Sequence, residues 1–154
     1  MKAIEVIEKK LEIKDIELPV LKDNEVLIKV KAAGLNRADI AQKNGLYPPP
    51  PGESEILGLE CSGIIESIGK NVNSKKPGDE VIALLAGGGY AEYVTCPETH
   101  AILKTPKLSW AEGASIPEVY STCWLNLFIE THMKEGCLLY TSDAADERSS
   151  VDLG

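Results

Sequence analysis

Histidine is almost missing: His100 and His132 are the only two in 154 residues, and neither lies within ligand spacing of a cysteine or of the other. The usual Cys/His pattern of a zinc site is therefore not written in the chain. Cysteine is sparse as well. Cys61, Cys96 and Cys123 lie 35 and 27 residues apart with no Cys-x-x-Cys, and Cys137 falls in a tail discounted below. An odd, scattered set excludes a disulfide framework and fits reduced thiols in a cytosol-like compartment. The N-terminal stretch Met1 to Lys10 lacks the apolar centre of a signal peptide, and no apolar run reaches the length of a membrane span. A soluble, unexported, cytoplasmic protein with no membrane contact is expected. Lysines occur singly or in pairs (Lys9-Lys10, Lys75-Lys76), and the formal charge is −8. An acidic surface without a basic stripe repels phosphate backbones, which argues against nucleic-acid binding. No internal repeat is present.

What is there ends abruptly. The helical pattern stops at Lys134-Glu135-Gly136, and Cys137 to Glu147 reads like the translated end of a transposase-type sequencing adapter. Val151 to Gly154 continues that reading into the downstream primer site. Residues 137–154 are therefore expected to be an artefact, disordered and irrelevant to the fold; the alternative is a genuine acidic, Ser-rich tail. This segment carries Arg148 against Asp143, Asp146, Glu147 and Asp152, a balance of −3 that leaves −5 for the rest. The remaining 136 residues suit one domain with a single core.

Short strands are expected at Lys2 to Ile7, Leu11 to Leu18, Glu25 to Ala32, Ile56 to Ile68, Glu80 to Leu85, Tyr90 to Thr95 and Ala101 to Lys104. Lys76-Pro77-Gly78-Asp79 is a turn. Asn36 opens a helix as its N-cap and Gly45 stops it; Ser109-Trp110-Ala111-Glu112 is a capping-box pattern. A further helix is expected from about Pro117 to Met133, burying Val119, Cys123, Trp124, Leu127, Phe128 and Ile129. Many strands with little helix between them point to a mainly β fold with short helices, a partly open barrel.

The block Gly34 to Gly63 combines a strand end, a capped helix, a rigid proline turn and a buried strand, and reads as the wall of an active-site cleft. Pro48 to Pro51 lock an extended backbone directly after Tyr47 and so fix where its ring points. They equally suit a structural turn or a ligand for proline-recognition modules. Tyr47, at its ordinary pKa of about 10, is a neutral hydrogen-bond donor and no base. Gly87-Gly88-Gly89 precedes a strand where a phosphate loop needs a helix, and is expected to be a hairpin turn.

Taken together, Asn36-Arg37-Ala38-Asp39, Gly45-Leu46-Tyr47-Pro48-Pro49-Pro50, Ile56-Leu57-Gly58-Leu59-Glu60, Pro77-Gly78-Asp79, Ala83-Leu84-Leu85 with Gly87 to Gly89, and Ser115-Ile116-Pro117-Glu118 resemble the medium-chain dehydrogenase/reductase superfamily. Within it the chain is most similar to the NADPH:quinone oxidoreductases of the p53-inducible quinone reductase and zeta-crystallin group. The resemblance covers residues 1–136. It implies a GroES-like substrate domain at 1–116, a bridging helix at 117–136, and a Rossmann domain for NADP(H) that this chain does not reach. It also implies that Asn36 sits beside the nicotinamide and the substrate carbonyl, that Tyr47 lines the quinone pocket as a catalytic partner, and that Thr122 contacts the nicotinamide edge. Zinc-dependent members place a cysteine at Asn36 and a histidine at Leu59, so the resemblance implies no zinc. Some relatives carry a second tyrosine where this chain has Ala41. Cys61 and Cys123 fall near the cleft in this scheme, without a basic partner to activate either.

The implied activity is NADPH-dependent reduction of a quinone by a full-length homodimer, with the chain as given inactive. A 2-enal or enoyl reductase of the same superfamily, and a non-catalytic structural or RNA-binding relative, are the alternatives.

Overall fold

The computed structural model describes residues 1–139; the adapter-like segment thus lies outside the described residues except for its first three positions. Two compact units divide at Thr122. The first is built on β1 (Lys2–Ile7), β2 (Lys10–Asp15), β3 (Glu25–Ala33), α1 (Arg37–Lys43), β4 (Glu60–Ile68), β5 (Glu80–Leu84), β6 (Tyr93–Pro97), β7 (Ala101–Leu103), α2 (Trp110–Ala114) and the start of α3 (Pro117–Trp124).

Five strands form one antiparallel sheet in the order β6-β3-β4-β5-β7. The residues that face inward recur every second position: Val26 and Ile28 on β3, Cys61 and Ile65 on β4, Val81 and Ala83 on β5, Val94 and Cys96 on β6. Such alternation follows from the pleat, and each fully buried Val or Ile contributes about 1.5–3 kcal/mol. Irregularities between Leu27 and Ile28 and between Val30 and Ala32 bend β3 against β4, which curls the sheet into half a barrel. The expected fold class, mainly β with short helices, is what forms.

β1 and β2 make a separate hairpin whose two turn residues, Glu8 and Lys9, both take positive φ (51° and 63°). This is the sense of twist that a two-residue hairpin loop requires. The hairpin is tied down where Ile4 donates to the Tyr90 carbonyl at 2.8 Å and Glu92 to that of Lys2 at 3.0 Å.

Two strands start later than their sequence pattern, and β2 ends at Asp15 where Leu18 is expected. β4 begins at Glu60 where a start at Ile56 is expected, and β6 begins at Tyr93 where Tyr90 is expected. The cause is a crossing of two loops: Gly89 donates to the Gly58 carbonyl at 3.0 Å and Tyr90 to that of Leu57 at 2.9 Å. Gly58 takes φ +102° with the Gly89 and Tyr90 backbone 2.7 Å from where a Cβ would stand, so only glycine fits. Gly89 serves this close approach, and Gly87 a similar one to the Ser54 and Ile56 carbonyls, in place of a plain hairpin turn.

α2 is pinned to the sheet from both sides. Ser62 donates to the Trp110 carbonyl at 2.6 Å. The Lys104 ammonium lies 4.7 Å from the centre of the Trp110 ring, 3.0 Å from Glu80 and 2.9 Å from the Leu108 carbonyl. The Ser109–Glu112 capping box closes as its pattern predicts, with Glu112 donating to the Ser109 hydroxyl at 3.2 Å and Ser109 to the Glu112 carboxylate at 2.8 Å.

The expected helix from Pro117 to Met133 is not continuous. α3 ends at Trp124, and Leu125–Glu130 is a π-helical segment whose wider turn appears in the Thr131 to Asn126 bond of 3.1 Å. Trp124 and Phe128 pack ring to ring at 4.5 Å within the second unit. Of the residues expected to be buried there, Val119, Trp124, Phe128 and Ile129 are 42–60% exposed, and Leu127 is half-buried. A helical stripe is buried only where another layer covers it.

Candidate active site

The site starts with the pairing of β3 and β4. Their antiparallel register sets Ala33 beside Cys61, so the chain leaving β3 and the chain entering β4 run side by side at one end of the sheet. Gly34, Leu35 and Asn36 follow β3; Glu60 opens β4. Gly34 has no Cβ because one built there would run into the Glu60 carboxylate.

Glu60 is 1% exposed, and no ion pair among the described residues neutralises it. A buried carboxylate without partners would cost several kcal/mol. Two donors converge on it instead. The Asn36 side-chain Nδ2 reaches Oε1 at 2.9 Å, and the Glu118 backbone N–H at the start of α3 reaches Oε2 at 2.9 Å. The second contact uses an amide that α3 cannot satisfy internally, at the helix end that favours negative charge.

Asp39, 5% exposed, is the neighbouring anion. Its Oδ2 accepts from the Asn36 backbone N–H at 2.7 Å and from the Tyr90 hydroxyl at 2.8 Å, and its Oδ1 accepts from the Gly58 N–H at 3.1 Å. One side chain thus closes the first turn of α1 and fastens it to both crossing loops. Burial, then the hydrogen bond to Asp39, push the Tyr90 phenol far above its ordinary range, so it acts as a neutral donor.

Glu118 completes the group. Burial and then the Glu60 charge raise its carboxyl above the ordinary value, while a bond from Thr122, one turn further along α3, works the other way. The thiols lack any such activation. Burial pushes Cys96 up to about 12 and Cys61 higher still, which makes both inert packing residues. Cys123 is exposed.

Of the residues singled out by sequence, Asn36 and Thr122 are brought into one hydrogen-bonded set through Glu60 and Glu118. Tyr47 is not part of it. It is 49% exposed and lines a cavity of about 380 Å³ with Gln42, Pro48, Pro49 and Ile56, whereas Asn36 lines another of about 380 Å³ with Leu11, Leu35, Ile40, Leu57 and Tyr90. Leu59 is buried at 8%, and no three His, Cys, Asp or Glu side chains among the described residues could hold a metal ion. Sequence reasoning passed over Glu60, Asp39, Tyr90 and Glu118 as working parts. The available signals were a charge set at the mouth of an apolar strand, Gly-Leu-Glu-Cys, and an acid three residues after an Asn N-cap.

One end of the curled antiparallel half-barrel thus carries a fixed amide and two buried carboxylates. The chain belongs to the family described as the alcohol dehydrogenase GroES-like domain, whose model matches residues 22–107. It is 39% identical over 116 residues to the synaptic vesicle membrane protein VAT-1 homolog of Danio rerio, covering 75% of this chain and 24% of that protein. It is 37% identical over 123 residues to the quinone oxidoreductase of Sus scrofa, covering 79% of this chain and 37% of that protein. The crystal structure of the human VAT-1 homolog-like protein superposes with a TM-score of 0.80 at 31% identity, over 88% of this chain and 45% of that one. The chain therefore spans less than half of each relative. Among the described residues, no helix is long and apolar enough to cross a membrane.

Proposed function

We propose that this chain is the substrate-side part of a zinc-independent, NADPH-dependent quinone reductase, cytoplasmic and dimeric when complete. The observation that carries the reading is the Asn36 amide held against buried Glu60 at 2.9 Å, beside buried Leu59. Zinc-using members of the superfamily are expected to carry two metal ligands at positions 36 and 59. The quinone oxidoreductase relative of Sus scrofa supports the acceptor class.

The donor set fits a nicotinamide edge. With one N–H committed to Glu60, the Asn36 amide keeps a second to offer, and Thr122 stands on the helix that Glu60 holds. NADPH, when bound, supplies the hydride. The chain's own residues bind and orient: Asn36 aligns the acceptor oxygen by hydrogen bonding and Thr122 holds the cofactor edge. With the cofactor bound beside Asn36, the buried Glu60 and Asp39 carboxylates would favour the positive charge that hydride loss leaves on its ring.

The test is NADPH oxidation by the product of the intact gene, with a benzoquinone and with a 2-enal offered separately. Turnover of the quinone is expected. Turnover of the enal alone would replace this reading with an enoyl reductase.

A further inference from the structure

The same carboxylate meets two elements that come from distant parts of the chain. Glu60 Oε1 accepts from Asn36 in the loop before α1, 24 positions earlier, and Oε2 accepts from the backbone of Glu118 in α3, 58 positions later. Both oxygens are used as acceptors, which is what an ionised carboxylate offers and an amide cannot. The Asn36 side chain therefore has one available orientation, with its NH2 turned to Glu60. A flipped amide would bring Oδ1 against Oε1, two acceptors with no proton between them. At the same time the Glu118 contact sets how far α3, and Thr122 on it, stands from Asn36. The space for this side chain is kept by Gly34, where any Cβ would displace the carboxylate.

We propose that Glu60 is a positioning residue: its carboxylate fixes both the flip of the Asn36 amide and the distance from Asn36 to α3, so that Asn36 and Thr122 address one ligand edge as a unit. What that edge belongs to rests on the function proposed above; the fixing of the two residues does not. The groups that face this carboxylate are Asn36 from the loop before α1 and the Glu118 N–H from α3, with Asp39, Tyr90 and the Glu118 carboxyl as the charged or titratable neighbours.

The polarity of the arrangement gives a test on the chain itself. Glu60→Gln keeps shape and removes one acceptor, so it can satisfy the Glu118 N–H or the Asn36 NH2 but not both. In the double variant Glu60→Gln with Asn36→Asp, the new Gln donates to position 36 and still accepts from Glu118, which restores both bonds with the polarity of one reversed and the net charge unchanged. In 1H–15N spectra the single variant should move the Glu118 backbone resonance and the Asn36 side-chain pair, with a fall in Tm of about 5 °C. The double variant should return the Glu118 resonance to near its original place and recover most of the Tm. If Glu60 merely fills space, the single variant leaves these resonances where they were, and the proposal fails. It fails equally if the double variant is no better than the single. A complete protein that does not reduce quinones would overturn the proposed function and leave these results unchanged.

Discussion

Tyr90 and Asp39 lie 51 positions apart, yet the tyrosine hydroxyl sits 2.8 Å from the aspartate Oδ2 and 3.2 Å from the Gly34 carbonyl. Through this one ring the loop before β6 grips both the start of α1 and the end of β3. The bond joins the two chain segments that frame the candidate site, and several predictions rest on it and its neighbours.

Tyr90→Phe removes the hydroxyl that Asp39 accepts from among the described residues and leaves the two backbone donors. A hydrogen bond to a charged group is worth about 1.5–3 kcal/mol, and the loss should appear as that decrease in unfolding free energy. Urea unfolding of the two proteins measures it; an unchanged midpoint would mean that Asp39 is satisfied without the ring.

Gly34→Ala drives a methyl group into the Glu60 carboxylate. Overpacking of this kind costs about 1–3 kcal/mol. The variant should also move the Glu118 amide resonance, because the displaced carboxylate cannot keep that contact. Loss of stability with the Glu118 resonance in place would separate the two effects and contradict the geometry.

The raised carboxyl of Glu118 makes stability depend on pH in a definite direction. The folded chain holds this proton more tightly than the unfolded chain. Its contribution is therefore fully present below the ordinary glutamate pKa of about 4.3 and is lost as pH rises through the folded value. Subtracting the Tm–pH curve of Glu118→Gln from that of the parent should leave a curve that falls with rising pH. A difference that rises, or stays flat, would refute the assignment.

Thiol chemistry should divide the cysteines in two. Cys61 and Cys96 are buried with thiols pushed well up, whereas Cys123 and Cys137 are exposed. Iodoacetamide at pH 8 should label Cys123 and Cys137 first and reach the other two only on unfolding. Mass spectrometry of the labelled peptides at successive times reads the order, and early labelling of Cys61 would show the core to be open.

The fold was legible wherever the sequence signal is local. The Asn36 helix start, the Gly45 stop and the Ser109–Glu112 box depend on residues within four positions, and the period-2 strands depend on the pleat alone. The crossing of Gly58 with Gly89 is a contact between loops about 30 residues apart, so nothing in the local pattern warned that β4 and β6 would each lose their first residues. Glu60 and Asp39 were visible as odd charges, but their partners Glu118 and Tyr90 could be supplied only by the folded chain. The stripe after Pro117 forms α3 and then a π-helical segment instead of one helix, and Val119, Trp124, Phe128 and Ile129 on it are exposed, because periodicity reports a face and not what covers it. Tyr47 and Asn36 were linked by resemblance, whereas the structure sets them in separate cavities.

The Lys104 ammonium resting 4.7 Å from the centre of the Trp110 ring has a practical side. The chain has two tryptophans, Trp110 in the first unit and Trp124 in the second. Replacing Trp124 by Phe leaves one indole, beneath a fixed positive charge whose field perturbs its excited state. Its emission would then track melting of the sheet end alone, and would give the half-barrel an intrinsic optical reporter that needs no added dye.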